Sequence, residues 1–190
     1  MGKALAERYA SAARTFSTAS EALATDLRTL CWDGPQEDLD RTANAQPAIL
    51  AESIAALRAT AEVLGHDELP EPLAVAGHSL GEYSAIVASG ALSLPDAIRI
   101  VRRRGELMQA ADASGAAGGM AAVIGLDAAA IAAVIDRSGV VVANDNAPGQ
   151  VVISGPVSAI ATVTDALKGA GAKRVIPLRV SAAFHSPAMR

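Results

Sequence analysis

Leu73-Ala74-Val75-Ala76-Gly77-His78-Ser79-Leu80-Gly81 decides how the chain reads. The four apolar residues Leu73–Ala76, bounded upstream by Pro70 and Pro72, predict a short strand. It is apolar on both faces, which predicts burial within a parallel sheet. From Leu80 to Ser89 the pattern turns helical, and it stops at Gly90, a suitable residue just past a helix end. Ser79 is thus predicted on a sharp strand-to-helix turn, with Gly77 and Gly81 two places to either side. Glycines at those flanks let strand and helix approach without side-chain collision, while the serine takes the strained torsion. The first free N–H groups of the helix would face the hydroxyl and bind a developing oxyanion. Ser79 is the candidate nucleophile.

Composition narrows the class. The chain has 190 residues, 51% of them hydrophobic but only 3% aromatic, so alanine and branched aliphatics must fill its core. A formal net charge of −4 argues against nucleic acid or an anionic membrane as the main partner. One cysteine, Cys31, excludes an internal disulfide framework and fits a reducing cytosol. One cysteine and three scattered histidines draw no metal cluster. Glu7 and Arg8 precede any apolar run, which reads as no signal peptide. The apolar stretch Met120–Ile135 is interrupted by Gly125 and Asp127 and is too short to span a bilayer. The expected location is cytoplasmic.

Outward from the serine, residues 3 to about 30 read as alanine-rich helix and residues 32–40 as a polar linker with Gly34 and Pro35. A helix is expected from near Pro47 to Leu64. Ser93 caps another that has Pro95 in its first turn and extends to about Ala111. Residues 113–119 form a small-residue loop. Beyond it come a strand at Met120–Ile124, a helix at Asp127–Asp136 and strands at Val140–Ala143 and Val151–Ser154. A helix at Val157–Leu167 and a strand at Arg174–Leu178 complete the series. That succession, β-α-β-β-α-β, is the ferredoxin-like split unit. The fold class is therefore α/β, with residues 115–178 as a small subdomain inserted between 1–114 and 179–190. Outside the split unit Leu73–Ala76 has no ladder partner, and a buried strand cannot leave its backbone groups unpaired. The chain is expected to be a segment of a larger protein.

Arg104 stands out by periodicity. On a wheel of about 100° per residue, Ala97, Ile100, Val101, Leu107, Met108 and Ala111 gather on one face with Arg104 in their middle. Arg99, Arg102, Arg103, Glu106 and Gln109 fall opposite, Arg102 and Arg103 as solvated residues. A guanidinium among apolar neighbours implies an internal carboxylate partner, a side chain snorkelling to water, or a fork for a substrate carboxylate. A general base for Ser79 is most simply a histidine, from His66, His78 and His185. His66 sits beside Asp67 and Glu68 in a polar loop and reads as a surface residue, and His78 precedes the nucleophile, expected to point away from Ser79 or else to line the site. His185, in Ala183-Phe184-His185-Ser186-Pro187, is the best of the three, although a lone loop histidine is more often structural than catalytic. Asn144-Asp145-Asn146-Ala147-Pro148-Gly149 reads first as ordinary turn chemistry between two strands.

Taken together, Gly77–Tyr83 (GHSLGEY), Val142–Gly155 (VANDNAPGQVVISG), Phe184–Met189 (FHSPAM) and Gln46-Pro47-Ala48 resemble one family across the whole chain. It is that of the malonyl-CoA:acyl-carrier-protein transacylases of fatty acid synthesis, related to the acyltransferase domains of polyketide synthases. The resemblance implies an α/β-hydrolase-like large subdomain, here incomplete, with a ferredoxin-like insertion. It implies ping-pong transfer through a malonyl-Ser79 intermediate, with His185 as base in both half-reactions and the Leu80 N–H in the oxyanion hole. Arg104 would bind the malonyl carboxylate and Phe184 would crowd an α-methyl branch. Asn144 and Asn146 would line the cleft. Malonyl-CoA enters as substrate, and the partner is an acyl carrier protein bearing phosphopantetheine; no bound cofactor is implied.

Family members begin with a strand and a Gly-Gln-Gly-Ser-Gln loop and continue well past the histidine. Met1-Gly2-Lys3 and Arg190 therefore suggest absence at both ends, the same conclusion the partnerless strand gave. Two other readings remain. A serine hydrolase or thioesterase would explain Ser79 but gives Arg104 no reason for its place. An inactive remnant would bind coenzyme A or carrier protein without chemistry.

Overall fold

The computed structural model describes residues 1–66, 72–112, 117–178, 180 and 182–189. These form two compact units, Met1–Glu106 and Leu107–Arg190. The fold is of mixed α/β class, with its helices and sheet unevenly divided between the units.

The first unit is helical: α1 (Lys3–Arg8), α2 (Ala10–Leu23), α3 (Leu27–Trp32), α4 (Gln36–Asp40), α5 (Thr42–Val63), α6 (Gly81–Ala88) and the first part of α7 (Leu94–Asp112). Ala12, Thr15, Phe16 and Ala19 recur at helical spacing and are buried on α2. They meet the buried Ala48, Ala51, Ile54, Ala55 and Ala59 of α5, with Leu94, Ala97, Ile98 and Val101 of α7 in the same core. Small alanine faces let helix backbones approach closely, which is how a core so poor in aromatics closes. Phe16, wholly buried, packs edge-on to Trp32 at 5.4 Å between ring centroids.

Several expectations change here. The helical stretch expected over 3–30 is divided into three helices, with breaks where Tyr9 is extended (φ −124°, ψ 125°) and where Ala24 turns left-handed (φ 50°). Asp26 restarts the chain as an N-cap, its carboxylate accepting from the N–H groups of Arg28 and Thr29. Part of the expected linker is helical, because Pro35 at the N-cap and Glu37 and Asp38 in the first turn favour α4. Helix α5 begins at Thr42 rather than near Pro47, which sits inside it in the second turn.

Leu73–Ala76 is not a buried strand. The segment is exposed, with Leu73 fully so, and none of its residues joins a ladder. A strand is defined by its hydrogen-bonded neighbour, and no described strand lies beside this one. Pro70, at its predicted upstream edge, is outside the described residues.

In the second unit the strands β1 (Gly118–Ile124), β2 (Val141–Ala147), β3 (Gln150–Pro156) and β4 (Arg174–Pro177) alternate with α8 (Ala128–Val134) and α9 (Val157–Gly169) in the expected succession. The sheet order is β2-β3-β1-β4, and every neighbouring pair is antiparallel. Ala121, Val123, Val151 and Ile153 point to one side, where Ile131 of α8 and Ile160, Val163 and Leu167 of α9 cover them. The Asp127 carboxylate caps α8 by accepting from Ala130 N–H at 2.7 Å. Of the expected small-residue loop, residues 113–116 are outside the described residues, and Gly118 and Gly119 already belong to β1.

Candidate active site

The turn at Ser79 is built from backbone contacts. Ser79 has φ +53°, a left-handed value that non-glycine residues rarely adopt. Gly81 N–H donates to His78 C=O (2.8 Å) and Tyr83 N–H to Leu80 C=O (3.0 Å), so the helix starts immediately after the serine. The two flanking glycines are unequal. A Cβ on Gly77 would fall 1.9 Å from the carbonyl oxygen of Gly81 and 2.4 Å from Glu82 N, so only glycine fits there. A Cβ on Gly81 would meet no described atom within 4 Å. The close approach depends on Gly77 alone.

Arg104 reaches this turn from α7. Its Nη2 donates to Ser79 Oγ at 3.0 Å and its Nη1 to Gln46 Oε1 at 2.6 Å. Its Cζ lies 6.0 Å from the centroid of the Tyr83 ring. Among the described residues no carboxylate lies within ion-pairing distance of Arg104, whereas Arg99, Arg102 and Arg103 on the same helix pair with Asp96 or Glu106. The internal salt bridge considered from sequence is therefore absent among those residues. A cation donating to the serine oxygen favours a developing alkoxide, and two N–H bonds leave most of its five donors for an incoming anion.

The place of Arg104 on its helix also differs from expectation. The core-facing side of α7 carries Leu94, Ala97, Ile98, Val101 and Gly105, while Ile100 and Leu107 are exposed. Arg104 sits half-buried beside that face, not in its middle. Arg102 is not simply solvated: its Nη1 donates to Asn44 Oδ1 (2.5 Å) and Ala43 C=O (3.3 Å). Gly105 makes this seam possible, since a Cβ there would lie 2.6 Å from Ala43 Cα and 2.7 Å from Thr42 C=O. Helix α7 thus approaches the start of α5 closely, and Gln46 lies one turn along.

Gln46, only 5% exposed, and Gly105 were not singled out as site residues by periodicity. A buried glutamine carries no periodic signal; the Gln46-Pro47-Ala48 landmark was the one trace of it. His78 is exposed, and His66 lies just past the end of α5, with its expected neighbours Asp67 and Glu68 outside the described residues.

His185, Phe184, Asn144 and Asn146 belong to the second unit. His185 is also left-handed (φ +56°) and exposed, and Phe184 is half-buried. Ser186 shapes that turn: its hydroxyl donates to Ala183 C=O (2.6 Å) and accepts from Ala188 N–H (3.2 Å). Gly118 of β1 admits it, since a Cβ there would lie 2.4 Å from Ala183 N. A cavity of about 200 Å³ behind the turn is lined by Gly118, Gly155, Ser186 and Met189 among others, with no titratable side chain. Asn144, Asp145 and Asn146 are strand residues of β2, not a connecting turn. Register irregularities at Ala143 and Asn146 re-aim them, and only Pro148 and Gly149 link the strands.

Among the described residues no group of three or more His, Cys, Asp or Glu could hold a metal ion, and no helix is long and apolar enough to cross a membrane. Cys31 is buried and its thiol is pushed up to about 11, chiefly by that burial, which leaves it protonated and unreactive.

The family model for the acyl transferase domain matches residues 1–190. The malonyl CoA-acyl carrier protein transacylase of Bacillus subtilis (strain 168) is 47% identical over 195 residues, covering all of this chain and 60% of the relative. The polyketide biosynthesis protein ThaF of Burkholderia thailandensis is 43% identical, over all of this chain and 16% of its own length. The crystal structure of an acyl carrier protein S-malonyltransferase from Vibrio cholerae superposes with a TM-score of 0.87 at 46% identity, over 97% of this chain and 60% of that one. The chain thus spans 60% of the length of the discrete transacylases it matches. With a serine held at a left-handed position just before a helix, an arginine at its hydroxyl and a family match over its whole length, the chain belongs to the acyl transferase domain family.

Proposed function

We propose that the protein transfers a malonyl group from coenzyme A to the phosphopantetheine thiol of an acyl carrier protein, in fatty acid synthesis in the cytoplasm. The observation that carries the reading is the hydrogen bond from Arg104 to Ser79 Oγ within a family whose relatives are malonyl transacylases. A serine hydrolase needs no cation at that point, whereas an acyl group ending in a carboxylate does.

In this reading Ser79 Oγ attacks the thioester carbonyl and its proton passes to His185. The Leu80 N–H at the start of α6 helps hold the oxyanion. The tetrahedral intermediate expels the thiolate of coenzyme A, which takes the proton from His185 and leaves malonyl-Ser79. The carrier thiol then gives its proton to His185 and attacks the ester, and Ser79 Oγ leaves with that proton, freeing both residues for the next cycle. Arg104 grips the distal carboxylate bidentately, and Phe184 disfavours an α-methyl branch. Asn144 and Asn146 line the cleft. No bound cofactor or metal takes part. The ferredoxin-like subdomain is residues 115–178, inserted into an α/β-hydrolase-like large subdomain formed by 1–114 and 179–190. The β-α-β-β-α-β succession and the order β2-β3-β1-β4 support that assignment. Ser79 at φ +53° supports the nucleophile elbow.

The likeness to a polyketide biosynthesis protein favours a second setting, the same chemistry as an acyltransferase domain of a polyketide synthase. The test is incubation with malonyl-CoA and a phosphopantetheinylated acyl carrier protein, with Ser79→Ala as control. Malonyl-carrier protein formed only by the wild type supports the proposal. Free malonate without malonyl-carrier protein makes the chain a thioesterase instead, and no turnover of either kind makes it an inactive remnant.

A further inference from the structure

Helix α7 carries four arginines, Arg99, Arg102, Arg103 and Arg104, and the first three each have a carboxylate partner, Arg102 and Arg103 sharing one. Arg99 pairs with Asp96 at 2.9 Å, Arg102 with Glu106 at 3.1 Å and Arg103 with Glu106 at 3.4 Å. Arg104 is held instead by two neutral oxygens, those of Gln46 and Ser79. Gln46 is almost wholly buried on α5, and Gly105 sets the close spacing of α5 and α7 that lets its side chain reach Nη1.

We propose that Gln46 is a specificity-determining positioning residue, holding the Arg104 guanidinium in place through a neutral amide so that its full positive charge serves the acyl carboxylate. The inference rests on the malonyl-transfer reading above. A carboxylate at position 46 would orient Arg104 equally well, being of the same length and accepting the same N–H. It would also cancel the cation and repel a second carboxylate, in a partly buried setting where charges interact strongly. Discrimination between malonyl and acetyl groups is a difference in affinity, so it depends on the net charge at the fork and not only on its position.

Gln46→Glu separates the two roles, because it preserves shape and hydrogen bond while changing charge. Initial rates of Ser79 acylation by malonyl-CoA and by acetyl-CoA, read by intact-protein mass spectrometry over a range of concentrations, give the selectivity ratio. The expected result is a malonyl-over-acetyl ratio lowered roughly tenfold to a hundredfold, the range set by a charged hydrogen bond. Gln46→Leu, which removes the acceptor without adding charge, is the second variant. It is expected to raise the malonyl KM more than it lowers kcat, as a loosened Arg104 requires. Purely structural support by Gln46 predicts an unchanged ratio in Gln46→Glu, and that result overturns the inference. If Gln46→Glu does not fold, an unchanged ratio in Gln46→Leu overturns it as well. Absence of a malonyl adduct on the wild type overturns the functional reading and this inference together, whereas adducts with unaltered ratios overturn only the role of Gln46.

Discussion

Replacing Gly77 by alanine tests the construction of the serine turn more sharply than replacing the serine itself. The added Cβ would lie 1.9 Å from Gly81 O, 2.0 Å from Gly81 C and 2.4 Å from Glu82 N, all backbone atoms that cannot rotate aside. Opening 1.9 Å to the 3.0 Å that real Cβ atoms keep moves the start of α6 by about 1.1 Å relative to the segment before the turn. Overpacking of this kind costs about 1–3 kcal/mol. A shift of about 1 Å at a reacting group costs on the order of a hundredfold in rate. The expected result for Gly77→Ala is therefore a lowered thermal midpoint together with a Ser79 acylation rate reduced about a hundredfold. Gly81→Ala is the matched control, since its Cβ meets no described atom and alanine is the better helix former. It should acylate within about threefold of wild type, a difference well under 1 kcal/mol. Acylation by Gly77→Ala within that same range, or equal damage by the two substitutions, would refute the reasoning.

Four further outcomes follow from particular contacts. Arg104→Ala should shift acyl preference from malonyl toward acetyl, by roughly tenfold or more in the ratio of acylation rates; unchanged selectivity contradicts the carboxylate clamp. Gly105→Ala should destabilise the first unit by about 1–3 kcal/mol, visible in urea unfolding, because its Cβ would press on the α5 backbone. Cys31 should resist thiol-directed reagents at pH 8 in the folded chain and react on denaturation, because burial holds its pKa near 11. Asp26 and Glu62 both have carboxyls lowered below their ordinary values by hydrogen bonds, from Thr29 and Ser11 respectively. Their stabilisation is thus complete above the ordinary carboxylate range and lost as pH falls through the lowered values; thermal midpoints measured from pH 6 to pH 3 should fall less steeply in Asp26→Asn.

The second unit was legible because its strands are short apolar runs separated by Gly, Pro and Asp residues, and Asp127 marks the start of α8 without ambiguity. The first unit was less so. Alanine favours helix everywhere, so the sequence over 3–30 masks the breaks at Tyr9 and Ala24, although Asp26 carried a readable N-cap signal. Leu73–Ala76 misled because apolar content predicts burial only where a neighbouring strand supplies the ladder. For α7 the wheel grouped Ile100 and Leu107 with Arg104, but the core takes the side bearing Gly105, a residue with no hydropathy signal. Asn144–Asn146 read as turn formers because bulges admit the same residues as turns. Ser79 is legible from Gly77 and Gly81 between an apolar run and a helical pattern, and Arg104 because it breaks a local rule of polarity. Gln46 shows in the sequence only as part of the Gln46-Pro47-Ala48 landmark, and its role emerges from the hydrogen bond it accepts from Arg104.

The central claim is that Ser79 Oγ is the atom that carries the acyl group. The most direct measurement is the intact-protein mass of the chain after brief exposure to malonyl-CoA, followed by peptide mapping, with Ser79→Ala alongside. The account predicts one malonyl adduct on the wild type, mapped to Ser79 and absent from the variant. No adduct on a folded wild-type sample, or an adduct of equal yield on Ser79→Ala, would contradict it.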